Sequence, residues 1–220
     1  MTLLAAFLLG VAGVFAVADW VAVARRALPL EHFAKPATLV VLVGVALALD
    51  PANTGRRTWF AVALVLSLAG DVLLMLAADD DRPGDAAPAR RGPDRFVLGL
   101  VAFLVAHVLY IAGFGLSRVW PAVVPVAVVA VVVGQWILRG VRRTEPGLAT
   151  PVAVYMVVIS VMVACAIGSG SWWAGAGAAL FFASDALIAV NRFVRPVAWA
   201  PVAIMVLYHL GQAGLVLSLA

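Results

Sequence analysis

Asp71, His107, Asp185 and His209 each interrupt a long run of apolar residues. An Asp near the centre of a membrane helix costs about 2.5–3.5 kcal/mol to insert. A buried polar contact between two membrane helices returns only about 0.6 kcal/mol on average. Packing alone does not offset that cost, so the four are read as working groups. Two carboxyl groups in a water-poor site can divide the tasks of acid and anion, and an imidazole beside them can orient water or relay a proton. The same side chains are also of types that ligate Zn²⁺ or pass protons through a transporter. Neighbours add polar stripes: Tyr110 lies three residues after His107, and Gln212 lies three after His209 and four after Tyr208, so each set shares a helical face. Ser67 stands one turn before Asp71. Asp19 lies near the end of the first apolar run, where Arg25 or Arg26 could neutralise it.

The elements that hold these groups follow from composition. Of 220 residues 65% are hydrophobic and 12% charged, and the mean hydropathy is +1.10. Globular chains average about 45–50% apolar and about 25% charged, so a soluble domain is excluded and the solvent is a bilayer. The net charge of +4, with basic residues confined between apolar runs, does not describe a nucleic-acid-binding surface. The lone Cys165 can form no intramolecular disulfide. Runs long enough to span, at about 20 residues each, cover roughly 3–24, 33–49, 58–78, 96–116, 119–138, 150–169, 171–191 and 197–219. The expected fold is all-α: one transmembrane domain over 1–220, a bundle of eight helices. Pro36 falls in the first turn of the second run, where a missing N–H costs little.

The first run lacks a basic segment before it and is followed by Arg25 and Arg26, the reverse of a cleaved signal peptide. With alternating runs, Arg25, Arg26, Lys35, Arg82, Arg90, Arg91, Arg95, Arg139, Arg142, Arg143, Arg192 and Arg195 fall on one side and Arg56, Arg57 and Arg118 on the other. The positive-inside rule then makes the Arg-rich loops cytoplasmic and puts both termini outside. The connector 79–95, with five acidic residues, four Arg and three Pro, reads as a flexible cytoplasmic loop. In this frame Asp71 and Asp185 fall about 13 and 14 residues into their runs, and the two His about 11 and 12 into runs of opposite direction. All four therefore lie within roughly 8 Å of one another in depth. Ala69-Gly70-Asp71-Val72-Leu73-Leu74 also echoes Ala183-Ser184-Asp185-Ala186-Leu187-Ile188, four runs apart and in the same direction, as in a parallel repeat. Gly99, Ala102, Ala106 and Gly113 make a small-residue face suited to close packing. The Trp and Tyr residues read mostly as interfacial anchors or core.

At these positions the chain resembles the YhhN family of multi-pass, lysoplasmalogenase-like membrane proteins. The matching elements are Lys35-Pro36, Gly70-Asp71-Val72-Leu73-Leu74, Phe96-x-x-Gly99-Leu100-x-x-Phe103-x-x-x-His107-x-x-Tyr110, Phe181-x-x-Ser184-Asp185-x-x-Ile188-Ala189 and Tyr208-His209-x-x-Gln212. At position 209 the family pattern has a second aromatic, usually Tyr, in place of His. The resemblance implies eight helices and hydrolysis of the vinyl ether bond of lysoplasmalogens to a fatty aldehyde and a glycerophospho-base. That reaction protonates the β-carbon of the vinyl ether and captures the resulting oxocarbenium ion with water. It calls for a protonated acid and an anion facing the cation, roles that suit Asp71 and Asp185, with His107 as the third catalytic group. Tyr110, Ser184, Tyr208, His209 and Gln212 are read as substrate-binding. Lys35, Arg192 and Arg195 are expected at the cytoplasmic surface, where a phosphate would sit. This reading requires no cofactor and no metal; its partners are a lysophospholipid and the bilayer, in the inner membrane of a bacterium. Two alternatives use the same residues: a zinc-dependent lipid amidase or esterase, and a small proton-coupled transporter.

Overall fold

The computed structural model describes residues 1–50, 53–80, 94–116 and 119–220. It contains eight long helices: α1 (Leu3–Arg25), α2 (Leu28–Ala48), α3 (Thr54–Asp80), α4 (Arg95–Phe114), α5 (Trp120–Thr144), α6 (Ala149–Gly168), α7 (Trp172–Ala189) and α8 (Ala200–Leu217). Among the described residues there is no strand. All eight helices are long and apolar enough to cross a membrane, as the composition requires. Most of the 79–95 connector lies outside the described residues.

Helix ends are fixed by local chemistry. Thr2 caps α1 by accepting from the Ala5 amide at 3.0 Å, while its hydroxyl donates to the Ala48 carbonyl at 2.8 Å, tying the start of α1 to the end of α2. Asp94 caps α4 through the Phe96 amide at 2.8 Å. Arg26 ends α1 in the left-handed region, φ 55°, and Pro29 stands in the first turn of α2.

Two boundaries differ from the apolar runs. Helix α2 begins at Leu28 rather than near 33, because Glu31 and His32 extend the helix past its hydrophobic stretch; His32 pairs with Asp79 of α3 at 3.4 Å. Pro36 therefore lies inside α2, where it removes the hydrogen bond to the His32 carbonyl. Helix α5 continues to Thr144, so Arg139, Arg142 and Arg143 ride on its last turns, a favourable place for cations at a helix C-terminus.

Close approach follows glycine. On α4, a Cβ at Gly99 would stand 2.9 Å from the Leu74 side chain, and one at Gly113 would stand 2.7 Å from the Phe60 ring, so the small-residue face of α4 packs on α3. Tighter still is the seam between α7 and α8: a Cβ at Gly177 would lie 2.7 Å from the Leu215 amide nitrogen and 2.8 Å from the Gly211 carbonyl. Helices α6 and α8 are the most buried of the bundle and α5 the least. After α7 the chain makes a π turn, Val190–Val194, that buries Phe193 and leaves Arg192 outward.

Candidate active site

Five helices bring their polar residues to one interior cavity that is partly open to the outside. Lys35 of α2, Asp71 of α3, Tyr155 of α6, Ser184 and Asp185 of α7 and Tyr208 of α8 line it, in a wall that is otherwise apolar and aromatic. The two carboxyl groups singled out by their cost of insertion thus face the same space.

Their surroundings differ. The Lys35 ammonium lies 3.2 Å from Asp71 Oδ1, both side chains almost wholly buried. The Tyr208 hydroxyl donates to Asp71 Oδ2 at 2.7 Å. Behind Tyr208, the Gln212 amide donates to the Tyr208 hydroxyl at 3.4 Å, and the Tyr110 hydroxyl donates to Gln212 Oε1 at 2.7 Å. Every donor in this buried chain points toward Asp71, an arrangement that stabilises a carboxylate. Among the described residues Asp185 has no cation partner. Its Oδ2 is bound by the Tyr155 hydroxyl, and its Oδ1 has no hydrogen-bond partner among the described residues.

The remaining expected residues are arranged around this centre at different removes. Ser184 donates to the Ile204 carbonyl at 3.0 Å, linking α7 to α8 beside Asp185. His107 stands behind the wall: Nδ1 donates to the Phe103 carbonyl at 2.6 Å, and the ring meets Tyr155 and Phe181 edge-on, with centroids 5.3 and 4.8 Å away. Because a carbonyl can only accept, that bond leaves Nε2 as the free acceptor, and Nε2 is buried without a partner. His209 turns away toward α1, accepting at Nδ1 from the Trp20 indole at 3.1 Å and stacking on that ring. Tyr110 and Gln212 form the back of the relay and do not border the cavity.

Lys35 is not at a surface, as its position before an apolar run suggested. The early start of α2 carries it inside the bundle, where it is a charge partner for Asp71. Asp19 does not pair with Arg25 or Arg26, which are exposed. It is fully buried, neither carboxyl oxygen has a hydrogen-bond partner, and the cation within its electrostatic reach is Lys35. Arg192 does lie at the outer rim. Its guanidinium stacks on Phe96 at 3.8 Å from the ring centroid and bonds to Glu145 at 3.3 Å, while Phe96 and Phe193 line the end of the cavity. Arg195 is exposed beyond it.

Sequence reasoning passed over Tyr155 and Trp20. The signal for Tyr155 was its place as a hydroxyl amid an apolar run. All three tyrosines of the chain direct their hydroxyls into this polar system rather than to an interface. Among the described residues, no three of His, Cys, Asp and Glu gather closely enough to hold a metal ion.

Comparison with known proteins agrees with the motifs. The chain is 29% identical over 200 residues to the lysoplasmalogenase TMEM86B of Homo sapiens, covering 91% of this chain and 76% of that protein. It is 32% identical over 169 residues to a lysoplasmalogenase of Mycobacterium tuberculosis, covering 72% of this chain and 58% of the relative. No solved structure matches it. The pattern of the YhhN family matches residues 30–219, which includes every residue lining the cavity. With the two acids, their lysine and their tyrosines all inside that match, the chain belongs to the YhhN family.

Proposed function

We propose that this protein is an integral membrane hydrolase that cleaves the vinyl ether bond of lysoplasmalogens, releasing a fatty aldehyde and a glycerophospho-base. The observation that carries this reading is the unequal company of two carboxyl groups facing one cavity: Asp71 has an ammonium and a phenol on its two oxygens, and Asp185 has no cation among the described residues. The names of the human and mycobacterial relatives support it.

One buried cation balances one buried anion, and a second ionised carboxyl would leave uncompensated charge in a low-dielectric space. Asp71 is accordingly the standing carboxylate and Asp185 the acid. Asp185 gives its proton to the β-carbon of the vinyl ether, and the electron pair of the double bond forms the new C–H bond. Positive charge then rests on the α-carbon and the ether oxygen, opposite Asp71. Water adds to the α-carbon and returns a proton to Asp185, giving a hemiacetal. The hemiacetal collapses as its hydroxyl proton moves to the glycerol oxygen and the C–O bond breaks. The sum is vinyl ether plus water to aldehyde plus alcohol, with Asp185 restored. Tyr155 orients Asp185, and the Tyr110–Gln212–Tyr208 relay holds Asp71 in place. His107 supports the Tyr155 ring from behind, so its role is positioning. Arg192 and Arg195 at the rim suit the headgroup phosphate.

The test is aldehyde release by purified protein from a 1-alkenyl lysophospholipid and from its saturated alkyl ether. Cleavage of the vinyl ether alone is expected. Asp185→Asn should lower kcat by about 10²–10⁴-fold, the range for loss of a positioned acid, with Asp71→Asn also strongly impaired. Folded protein that releases no aldehyde would refute the substrate assignment.

A further inference from the structure

The two products of vinyl ether hydrolysis belong in different phases. The glycerophospho-base can leave by the Arg192 rim, but a long-chain aldehyde needs an apolar route. Such a route adjoins the cavity. A second space, about 970 Å³ and open along one side, runs between α5 and α6 from Val119 to Leu138. Ten of its fifteen lining residues are Val or Ala, with Gln135 and Ser160 the polar ones, and the outer face of α5 exposes Val124, Val128, Val131 and Val132, as a lipid-facing helix would. From Val123 to Gly134 it follows α5 for about 16 Å at 1.5 Å per residue.

The cavity and the groove share a single lining residue, Met156. Its thioether fills the gap between α5 and α6 left where α5 has Gly134: a Cβ at Gly134 would lie 3.7 Å from Met156 Sδ and 3.8 Å from Cε. Methionine is unbranched and readily changes rotamer. One turn on, the Ser160 hydroxyl donates to the Met156 carbonyl at 2.6 Å, a bond that competes with the helical ladder and eases bending there. A flexible side chain is thus the partition between the acids and the bilayer-facing groove.

We infer that the α5–α6 groove seats the alkyl chain of the substrate and releases the aldehyde into the bilayer, with Met156 as the movable wall between groove and cavity. The inference deepens the hydrolase reading and rests on it.

The experiment uses proteoliposomes and a saturated alkyl-ether lysophosphocholine carrying a diazirine at the end of its chain, which binds without being cleaved. Photolabel is expected on peptides spanning 126–138 and 156–164. Met156→Trp should reduce it at least fivefold, and Val14→Trp, exposed on α1 and not part of the groove lining, should not. In parallel, Met156→Trp should lower the ratio of long-chain to short-chain vinyl ether kcat/KM at least tenfold. Label confined to α1, α2 or the Phe96–Phe193 rim, with vinyl ether cleavage intact, would overturn the groove assignment and leave the hydrolase standing. Label in the groove without cleavage of any vinyl ether would sink the hydrolase reading while keeping the groove as a lipid-chain site. Spontaneous disulfide dimers of a Val131→Cys variant that exclude the probe would assign the groove to a second copy of the chain instead.

Discussion

Removing the Lys35 ammonium would leave the Asp71 carboxylate buried with Tyr208 as its remaining donor. Breaking a buried ion pair on one side costs about 3–5 kcal/mol, whereas replacing both members by apolar groups is often neutral or better. Lys35→Met should therefore lower the Tm in detergent sharply, and Lys35→Met with Asp71→Leu should recover most of it without recovering aldehyde release. Equal losses of Tm in the single and double variants would contradict the ion pair. Asp71 and Asp185 were legible in the sequence because a carboxyl group inside an apolar run stands out by its insertion cost. The depth of Lys35 was not, since it depends on where α2 begins, and a boundary lysine reads as a headgroup ligand until Glu31 and His32 are known to be helical. Tyr155 escaped notice for a different reason. A phenol is at home in core, interface or site, and only its partner, Asp185 thirty positions away, decides among them.

Between elements, the α7–α8 seam bears the finest tolerance. Side chains flex, but the Leu215 nitrogen and Gly211 carbonyl facing Gly177 are backbone and cannot step aside. Gly177→Val should force the helices apart and cost at least about 1–3 kcal/mol, the usual range for overpacking. Gly13→Ala, where a Cβ meets nothing within 4 Å, should stay within about 1 kcal/mol of the parent. Thermal unfolding of the two variants in one detergent compares them directly. Since Ser184 and Tyr208 lie on the two sides of this seam, Gly177→Val should also reduce turnover. Apolar run length made the eight helices readable, and the small-residue face of α4 pointed correctly to close packing. The seam on α7 and α8 went unread because its glycines lie in two helices whose mutual register only the folded bundle fixes.

For the molecule as a whole, twelve basic residues on one side of the runs against three on the other predict, by the positive-inside rule, that the richer side faces the cytoplasm. The cavity rim at Phe96, Arg192 and Phe193 would then face the inner leaflet. In a Cys165→Ser background, a membrane-impermeant maleimide should label Ala220→Cys on intact spheroplasts and Arg25→Cys only after permeabilisation. The opposite pattern would invert the assignment. Hydropathy states how many times the chain can cross, and charge gives an expectation of the sense. They do not state that α4 packs beside α6, or α1 beside α8, because lateral neighbours in lipid are chosen by shape rather than by a hydrophobic drive.

The Lys35–Asp71 pair also bears on how the chain is made. During synthesis α2 reaches the insertion machinery first, carrying an ammonium whose partner is still to be translated. Either charge alone carries an insertion cost of about 2.5–3.5 kcal/mol near a helix centre, and α2 is among the least hydropathic of the eight spans. With only a short connection between Ala48 and Thr54, the two helices can leave the translocon together as a neutral hairpin. The pair that fixes the carboxylate in the finished protein would thereby couple the partitioning of two nascent segments into a single event.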